Sequence, residues 1–570
     1  MRRFVIQGSD RIGRVIPLSR EIMLWTAVLA GAAALFLIQL GARGVVSEEM
    51  RWGEVAREMR ASGDYFHPTI NGRIYYDKPL GSYWLIVAAS HLTGGVNETA
   101  ARLPAAVAGW VGVLLVMLLG RRFYDTPTAL LAGAILATSF GFVFYSRRAT
   151  ADVETVTGVL AAVWLYARNV DRPAGAWVVL LWLVMAITSL TKGLLGFALP
   201  AVVLAVHGCW IALAEAEEGE SIRGRARAIL RRNRWLFSRW SVVAIPLAMA
   251  VYLAPFFSSI QGTGASEGLA MVWRENVRRF VSPHNHTGPV YLYVGVLFLI
   301  AAPWSAFLPA ALVPFARGRG GAEGDRLVRA YFWAVFLFFT ASASRRGYYL
   351  LPILPAVALL VARLSTASAD ELRPWSRAFR SAGWVVFVTG VACAGVAIVP
   401  PRWILPAPYS HLPDLPARWA FMIGWLIGLV ALVTLVRSAR SRNWVAAGIA
   451  FAGLGYGFWI ALPAVDDFRT RQAFALEVRT RTDHEPDKLA LFHAETVVFD
   501  LGRTAPEYST PEALGEAIRL GRVRWVVARR RYLLGADLPA RIVYEESTHP
   551  WEGADQMANK LLLLEATGEE

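Results

Sequence analysis

The 570-residue chain has few cysteines and few charges. Cys209 and Cys393 lie in separate apolar stretches and give neither a disulfide pattern nor a metal-ligand pattern. Charged residues make up 18% of the chain and apolar residues 55%, with a mean hydropathy of +0.41. That balance excludes an ordinary soluble enzyme. No internal repeat or low-complexity tract is evident. Basic residues outnumber acidic ones, 58 to 43, for a net charge of +15. The surplus does not indicate nucleic acid, because most of the arginines sit in short loops between apolar stretches, where topology signals belong.

What is present is a series of apolar stretches long enough to cross a bilayer. We place candidate spans at 22–41, 101–120, 127–145, 153–168, 174–190, 194–214, 238–257, 289–315, 327–343, 348–364, 381–399, 417–436 and 443–463. LGSYWLIVAASHL, 80–92, is short for a crossing. If it lies in the interface, the Arg-rich connectors all fall on the side of the basic N-terminus: RRFYD, RNVDR, the 216–234 loop, ARGRGGAEGDR, the 365–380 loop and VRSARSRN. This predicts about 13 spans and a retained, cytoplasmic N-terminus. The tail from 464 to 570 changes character. Its runs KLALFH, VVFDL, VRWVVARR, RIVYEE and KLLLLEA alternate with PEALGEAIRLG and DDFRTRQAFALEVRTR, which predicts a soluble α/β domain on the opposite side.

The opposite side collects polar groups that topology does not explain. In SEEMRWGEVAREM, Glu48, Arg51, Trp52, Val55 and Met59 share one helical face, either a solvated face or part of a site. Downstream come Tyr75, Tyr76, Asp77 and Lys78. SRRATADVE carries Arg147, Arg148, Asp152 and Glu154 at the mouth of a span, and WRENVRRFVSPHNHTGP carries Glu275, Arg278, Arg279, His284 and His286. The turn SASRRGYYLLP holds Arg345, Arg346, Tyr348 and Tyr349, and SLTKGLLG holds Lys192. Arginines on this face run against the positive-inside bias and suggest a bound anion such as a phosphate. Each group has a plainer reading: span-end acids paired with arginine, snorkelling arginines, a helix pair at Glu275, belt tyrosines, a span-end anchor at Lys192. His284 and His286 are a weak metal signal, with Asp77 a third weak candidate. The case rests on convergence, which describes a pocket at the outer interface.

EEMRWGEVAREMRASGDYFHPTINGRIYYDKPLGSYWL resembles the first outer loop of bacterial GT-C glycosyltransferases of the aminoarabinose transferase and protein O-mannosyltransferase-like group. The similarity continues in RRATADVE, LTKGLLGFALP, ENVRRF with NHTGP, APWS and YYLLPILPA. The resemblance implies a membrane all-α GT-C fold of about 13 spans with periplasmic juxtamembrane helices and a C-terminal α/β domain. The expected division is a transmembrane catalytic domain, 1–463, and a periplasmic domain, 464–570. It further implies a donor sugar carried on undecaprenyl phosphate. The family's paired acids fall on Glu48 and Glu49, its arginine on Arg51 and its tyrosine on Trp52. Its Lys-Pro pair falls on Lys78 and Pro79 with Asp77 before it, its second-loop acid on Asp152, and its late tyrosine on Tyr349. The chain departs from the family in carrying Glu48 for the usual Asp, Trp52 for Tyr, and Leu80-Gly81 for the usual Pro-Leu.

The expected chemistry is transfer with inversion at the anomeric carbon. Glu48, Asp152 and Arg51 are the expected catalytic group, and Lys78, Arg345, Arg346, Tyr348 and Tyr349 the donor-phosphate group. Glu49, Trp52, Tyr75, Asp77, Arg148 and Glu275 are expected to line the substrate pocket. No cofactor is expected to be required, although a divalent metal is compatible. The expected partners are the lipid-linked donor, a lipid or glycolipid acceptor and membrane lipids, with no nucleic acid, for a monomer in the bacterial inner membrane. The competing class is a transporter or flippase for a lipid-linked anion. That class predicts polar residues deep in the spans and often an inverted repeat, neither of which the sequence shows.

Overall fold

The computed structural model describes residues 18–46, 48–214, 221–263, 267–273, 288–312, 322–367, 377, 381, 439–464, 466, 470–548 and 552–567. Helices dominate. In chain order they begin with α1 (Leu18–Leu37), α2 (Glu49–Ser62), α3 (Gly81–Ser90), α4 (Glu98–Phe123), α5 (Thr126–Ala137), α6 (Phe140–Ser146), α7 (Asp152–Asn169), α8 (Ala176–Lys192), α9 (Leu195–Ala214), α10 (Ile222–Arg232), α11 (Arg239–Thr263) and α12 (Glu267–Val272). Helices Leu292–Ile300, Ala322–Ala341, Leu354–Thr366 and Ala439–Tyr456 follow. Every expected span from 22–41 to 348–364, together with 443–463, overlaps helix among the described residues; 313–315, 382–399 and 417–436 lie outside them. Among the described residues six helices are long and apolar enough to cross a membrane, or up to 8 if two bent pairs each count once.

Those bent pairs correct two of the expected straight spans. The 127–145 span turns through 62° between α5 and α6, and 289–315 turns through 116° between its helices 292–300 and 304–311. At the end of α5 the hydroxyls of Thr138 and Ser139 bond back to the carbonyls of Ala134 and Ile135, which also accept the Thr138 N–H. The two breaks then satisfy each other. The Phe140 N–H donates to Ala302 O at 2.9 Å and the buried Trp304 indole N–H to Thr138 Oγ1 at 3.0 Å.

The bundle centres on α4, which packs on α1, α5 and α7, while α7 packs on α8 and α8 on α11. Gly158 sets the α7–α8 distance: a Cβ there would meet Thr188 Oγ1 at 2.1 Å. The short α3 packs on α2 and α4. Between α2 and α3 lies a hairpin, β1 (Thr69–Ile70) and β2 (Arg73–Ile74), turned by Asn71 and Gly72 with φ of 53° and 72°. An Asn-Gly pair accepts that left-handed backbone readily. Glu58 holds the turn by accepting from Thr69 Oγ1 and from the N–H groups of Asn71 and Gly72.

Residues 472–566 form a five-stranded sheet, in the order β4 (Glu507–Tyr508), β3 (Leu489–Phe492), β5 (Trp525–Arg529), β7 (Leu561–Ala566), β6 (Ala540–Glu545). Strands β4, β3 and β5 run parallel, and β7 is antiparallel to both its neighbours. Helices Gln472–Thr482 and Val498–Leu501 cover one face, and Pro511–Arg519 the other. VVFDL, expected as a strand, is therefore helical. Val497, Val498 and Leu501 point into the core beneath β3, a spacing that a helix provides and a strand does not.

Candidate active site

Glu48 stands at the N-terminal end of α2, and from it a continuous chain of charged and aromatic side chains crosses four segments. The Arg346 guanidinium donates to Glu48 Oε1 at 3.0 Å, and Arg51, one turn along, stands 3.7 Å from the same carboxylate. Arg346 also donates to the Tyr348 hydroxyl. The Lys192 ammonium lies 4.6 Å from the Tyr348 ring centre and 5.3 Å from that of Tyr349, and it pairs with Asp152 at the start of α7. Tyr145 packs on Tyr348 with ring centres 5.9 Å apart. On the other side Arg51 donates to the Tyr75 hydroxyl at 2.7 Å and stands 3.8 Å from Asp77, which Lys78 pairs at 3.0 Å.

Arg51, Lys78, Lys192 and Arg346 thus face Glu48, Asp77 and Asp152. Burial raises the Asp77 carboxyl, but Lys78 and Arg51 overcome it and hold Asp77 below the usual carboxylate range. Burial, with Asp77 nearby, pushes Tyr75 up to about 12, so its hydroxyl stays neutral. The cluster grades from open to closed: the Glu48 side chain is 39% exposed and that of Asp152 7%. An anion approaching from the open end meets arginine and lysine donors at fixed spacing, with tyrosine hydroxyls beside them.

Several expected site residues stand elsewhere. Glu49, expected in the pocket, is 2% exposed; it accepts from Arg102 at 2.9 Å and from the N–H groups of Ala149 and Val46. Burial works against its charge, and Arg102 and Arg148 outweigh it, holding the pKa low. Trp52 is buried against Tyr83, with ring centres 4.9 Å apart. Arg345, expected on the phosphate, donates to the carbonyls of Gly288 and Thr340. Arg147 likewise caps the end of α1 through the carbonyls of Leu35, Ile38 and Gln39. Arg148 sits at the edge, bonded to Val46 O and over the Phe144 ring. In each case the guanidinium is taken by backbone carbonyls that the fold brings to it, those at the end of α1 for Arg147. Glu275, His284 and His286 lie outside the described residues. Among the described residues no three His, Cys, Asp or Glu side chains converge as a metal site. Lys192 is central in the structure, whereas the sequence offered it equally as a span-end anchor. Its signal was Gly193, whose φ of 85° ends α8 with the lysine facing inward.

The family model of dolichyl-phosphate-mannose-protein mannosyltransferases matches residues 77–217. An undecaprenyl phosphate-alpha-4-amino-4-deoxy-L-arabinose arabinosyl transferase of Pseudomonas fluorescens is 27% identical over 70% of this chain and 66% of its own. Its counterpart in Pseudomonas aeruginosa is 29% identical over 61% of this chain and 62% of its own. These matches span just under two thirds of both relatives. The crystal structure of ArnT from Cupriavidus metallidurans bound to undecaprenyl phosphate superposes with a TM-score of 0.70, covering 95% of this chain and 97% of that one at 19% identity. The two chains therefore share a fold. In sequence the chain is similar to these undecaprenyl phosphate-dependent aminoarabinose transferases.

Proposed function

We propose that the chain transfers a sugar from undecaprenyl or another polyprenyl phosphate to a lipid A-like or other envelope glycolipid, with inversion at the anomeric carbon. The observation that carries this reading is the unbroken network Arg51–Glu48–Arg346–Tyr348–Lys192–Asp152, which lines one open-ended site with phosphate-binding donors. Arg346, Lys78 and Lys192, with Tyr348 and Tyr349, hold the donor phosphate. An acceptor oxygen forms the new bond to the anomeric carbon as the bond to the phosphate oxygen breaks, and the lipid phosphate leaves with its charge met by these cations. Glu48 orients the acceptor and takes its proton if it carries one, Arg51 fixes Glu48, and Asp152 holds Lys192 in place. An acceptor phosphate is already ionised and needs no base. No cofactor is required by these steps.

The remaining geometry is part of the same proposal. The spans number about 13, the N-terminus is cytoplasmic, and residues 464–570 form a periplasmic domain beside a catalytic domain, 1–463, of an inner-membrane monomer. A flippase would share the basic pocket but would not need Glu48 against it. The test is transfer from a purified lipid-linked sugar by Glu48→Gln, Lys78→Ala and Asp152→Asn variants that retain the parent unfolding temperature. Near-normal turnover in all three would sink the assignment.

A further inference from the structure

The sheet of residues 472–566 has its own site-like geometry, remote in sequence from the cluster above. Strand β3 leads through Val498–Leu501, on one face, to its neighbour β4; from β4 the chain crosses the other face through Pro511–Arg519 to reach β5 on the far side of β3. The connections therefore diverge between β3 and β5, and a crevice at the carboxyl ends of diverging parallel strands is where open α/β sheets bind ligands. His493 follows β3 there with a φ of 52°, and its ring stacks on Tyr532 at 4.0 Å. Arg529 ends β5 and donates to His493 O, Thr496 Oγ1 and Asn559 Oδ1. Arg531 donates to the Tyr532 hydroxyl and lies over its ring at 4.6 Å.

The neighbouring arginines are ion-paired, Arg471 with Glu546 and Arg530 with Glu545. Among the described residues the hydrogen bonds of Arg529 and Arg531 go to neutral groups, with Glu495 acting on Arg529 at longer range. Burial and the adjacent Arg471 and Arg531 depress the pKa of Arg529, and Tyr532 and Glu495 only partly offset them. Glu507, the first residue of β4, is met by Arg73 of the β1–β2 hairpin at 3.1 Å, so the β4 edge of the sheet abuts the first loop.

We propose that the crevice between the carboxyl ends of β3 and β5 binds a phosphate-bearing saccharide headgroup, its phosphate on Arg529 and Arg531 and its ring against the His493–Tyr532 stack. Guanidinium forks match phosphate oxygens, and the aromatic face suits the apolar face of a sugar ring. Resting on the transferase reading, the site holds the acceptor glycolipid by its phosphorylated sugar next to the first loop. The experiment is calorimetric titration of the full chain in nanodiscs, without donor, using glucosamine 1-phosphate, inorganic phosphate and glucosamine as separate probes. Glucosamine 1-phosphate is expected to bind at least about tenfold more tightly than either other probe, and Arg531→Gln or Tyr532→Ala to weaken it at least about tenfold. Both substitutions are at exposed positions, so loss of the fold does not obscure the result. Glu48→Gln is expected to leave this binding intact while lowering transfer on the order of 10²-fold or more, which separates failure of this site from failure of the transfer reading. Absence of binding, equal affinity for inorganic phosphate, unchanged affinity in both sheet variants, or loss of binding in Glu48→Gln would each overturn the proposal.

Discussion

At Glu48 the carboxylate is 39% exposed and accepts from Arg346, whereas the next side chain, Glu49, is 2% exposed and shared among Arg102 and two backbone N–H groups. The sequence showed two adjacent acids in a family-like motif and could not separate them, because the deciding partner, Arg102, lies 53 residues along the chain. Their substitutions should separate cleanly. Glu48→Gln keeps the volume and removes the charge that orients the acceptor, so turnover should fall on the order of 10²-fold or more at an unchanged unfolding temperature. Arg102→Met should instead act on stability. Arg102 satisfies Glu49 and the carbonyls of Leu40, Arg43 and Gly44, and its loss strands a buried carboxylate and three acceptors. Breaking such a pair costs about 3–5 kcal/mol, read as a large drop in unfolding temperature in detergent. An unchanged melt for Arg102→Met would refute the structural role assigned to Glu49.

Among the elements, α2 is the one whose face the sequence predicted in most detail: Trp52, Val55 and Met59 are all buried, and Glu48 stands at its start. What the pattern hid was the polar pair on its other side. Glu54 is fully buried with Arg57 against it at 2.5 Å, and Arg57 also reaches Gly502 O beside the sheet. Burial dominates and Arg57 only partly offsets it, so Glu54 is pushed up to about 7 from an ordinary 4.5. A carboxyl raised in the folded state binds its proton more tightly there than when unfolded. Its stabilising contribution is therefore complete below about pH 4.5 and is lost as the pH rises through 7, on the order of 3 kcal/mol across that window. Glu54→Gln should flatten the fall in unfolding temperature between pH 4.5 and 7; an unaltered slope would count against the burial of this group. The bent spans were illegible for a related reason. Apolar composition reports that a segment is buried, but the Phe140–Ala302 and Trp304–Thr138 bonds that join the two breaks are tertiary contacts.

Across the whole molecule, the sheet and the first loop are joined at several points. Asp466 pairs with Arg43 at 3.2 Å and accepts from the Gly44 N–H at 2.8 Å; Asn71 accepts from the Ala505 N–H; Arg73 pairs with Glu507; and Phe499 packs with Val45 and Met50, its ring 2.5 Å from where a Cβ on Gly53 would stand. The sequence distinguished the two regions by composition and gave no hint of this clasp, since its contacts span more than 400 residues. The clasp fixes the chain at Gly44, four residues before Glu48, so its effect should be felt in chemistry more than in binding. Asp466→Ala should lower kcat about tenfold, the scale expected when a reacting group loses its positioning, while KM for the lipid-linked donor stays within about twofold. The control is Arg524→Gln, at an exposed position of the same sheet where ion pairs with Glu485 and Glu565 are worth little. It should leave both constants unchanged. A raised KM at constant kcat in Asp466→Ala would mean that the clasp shapes the donor pocket and does not hold Glu48 in register.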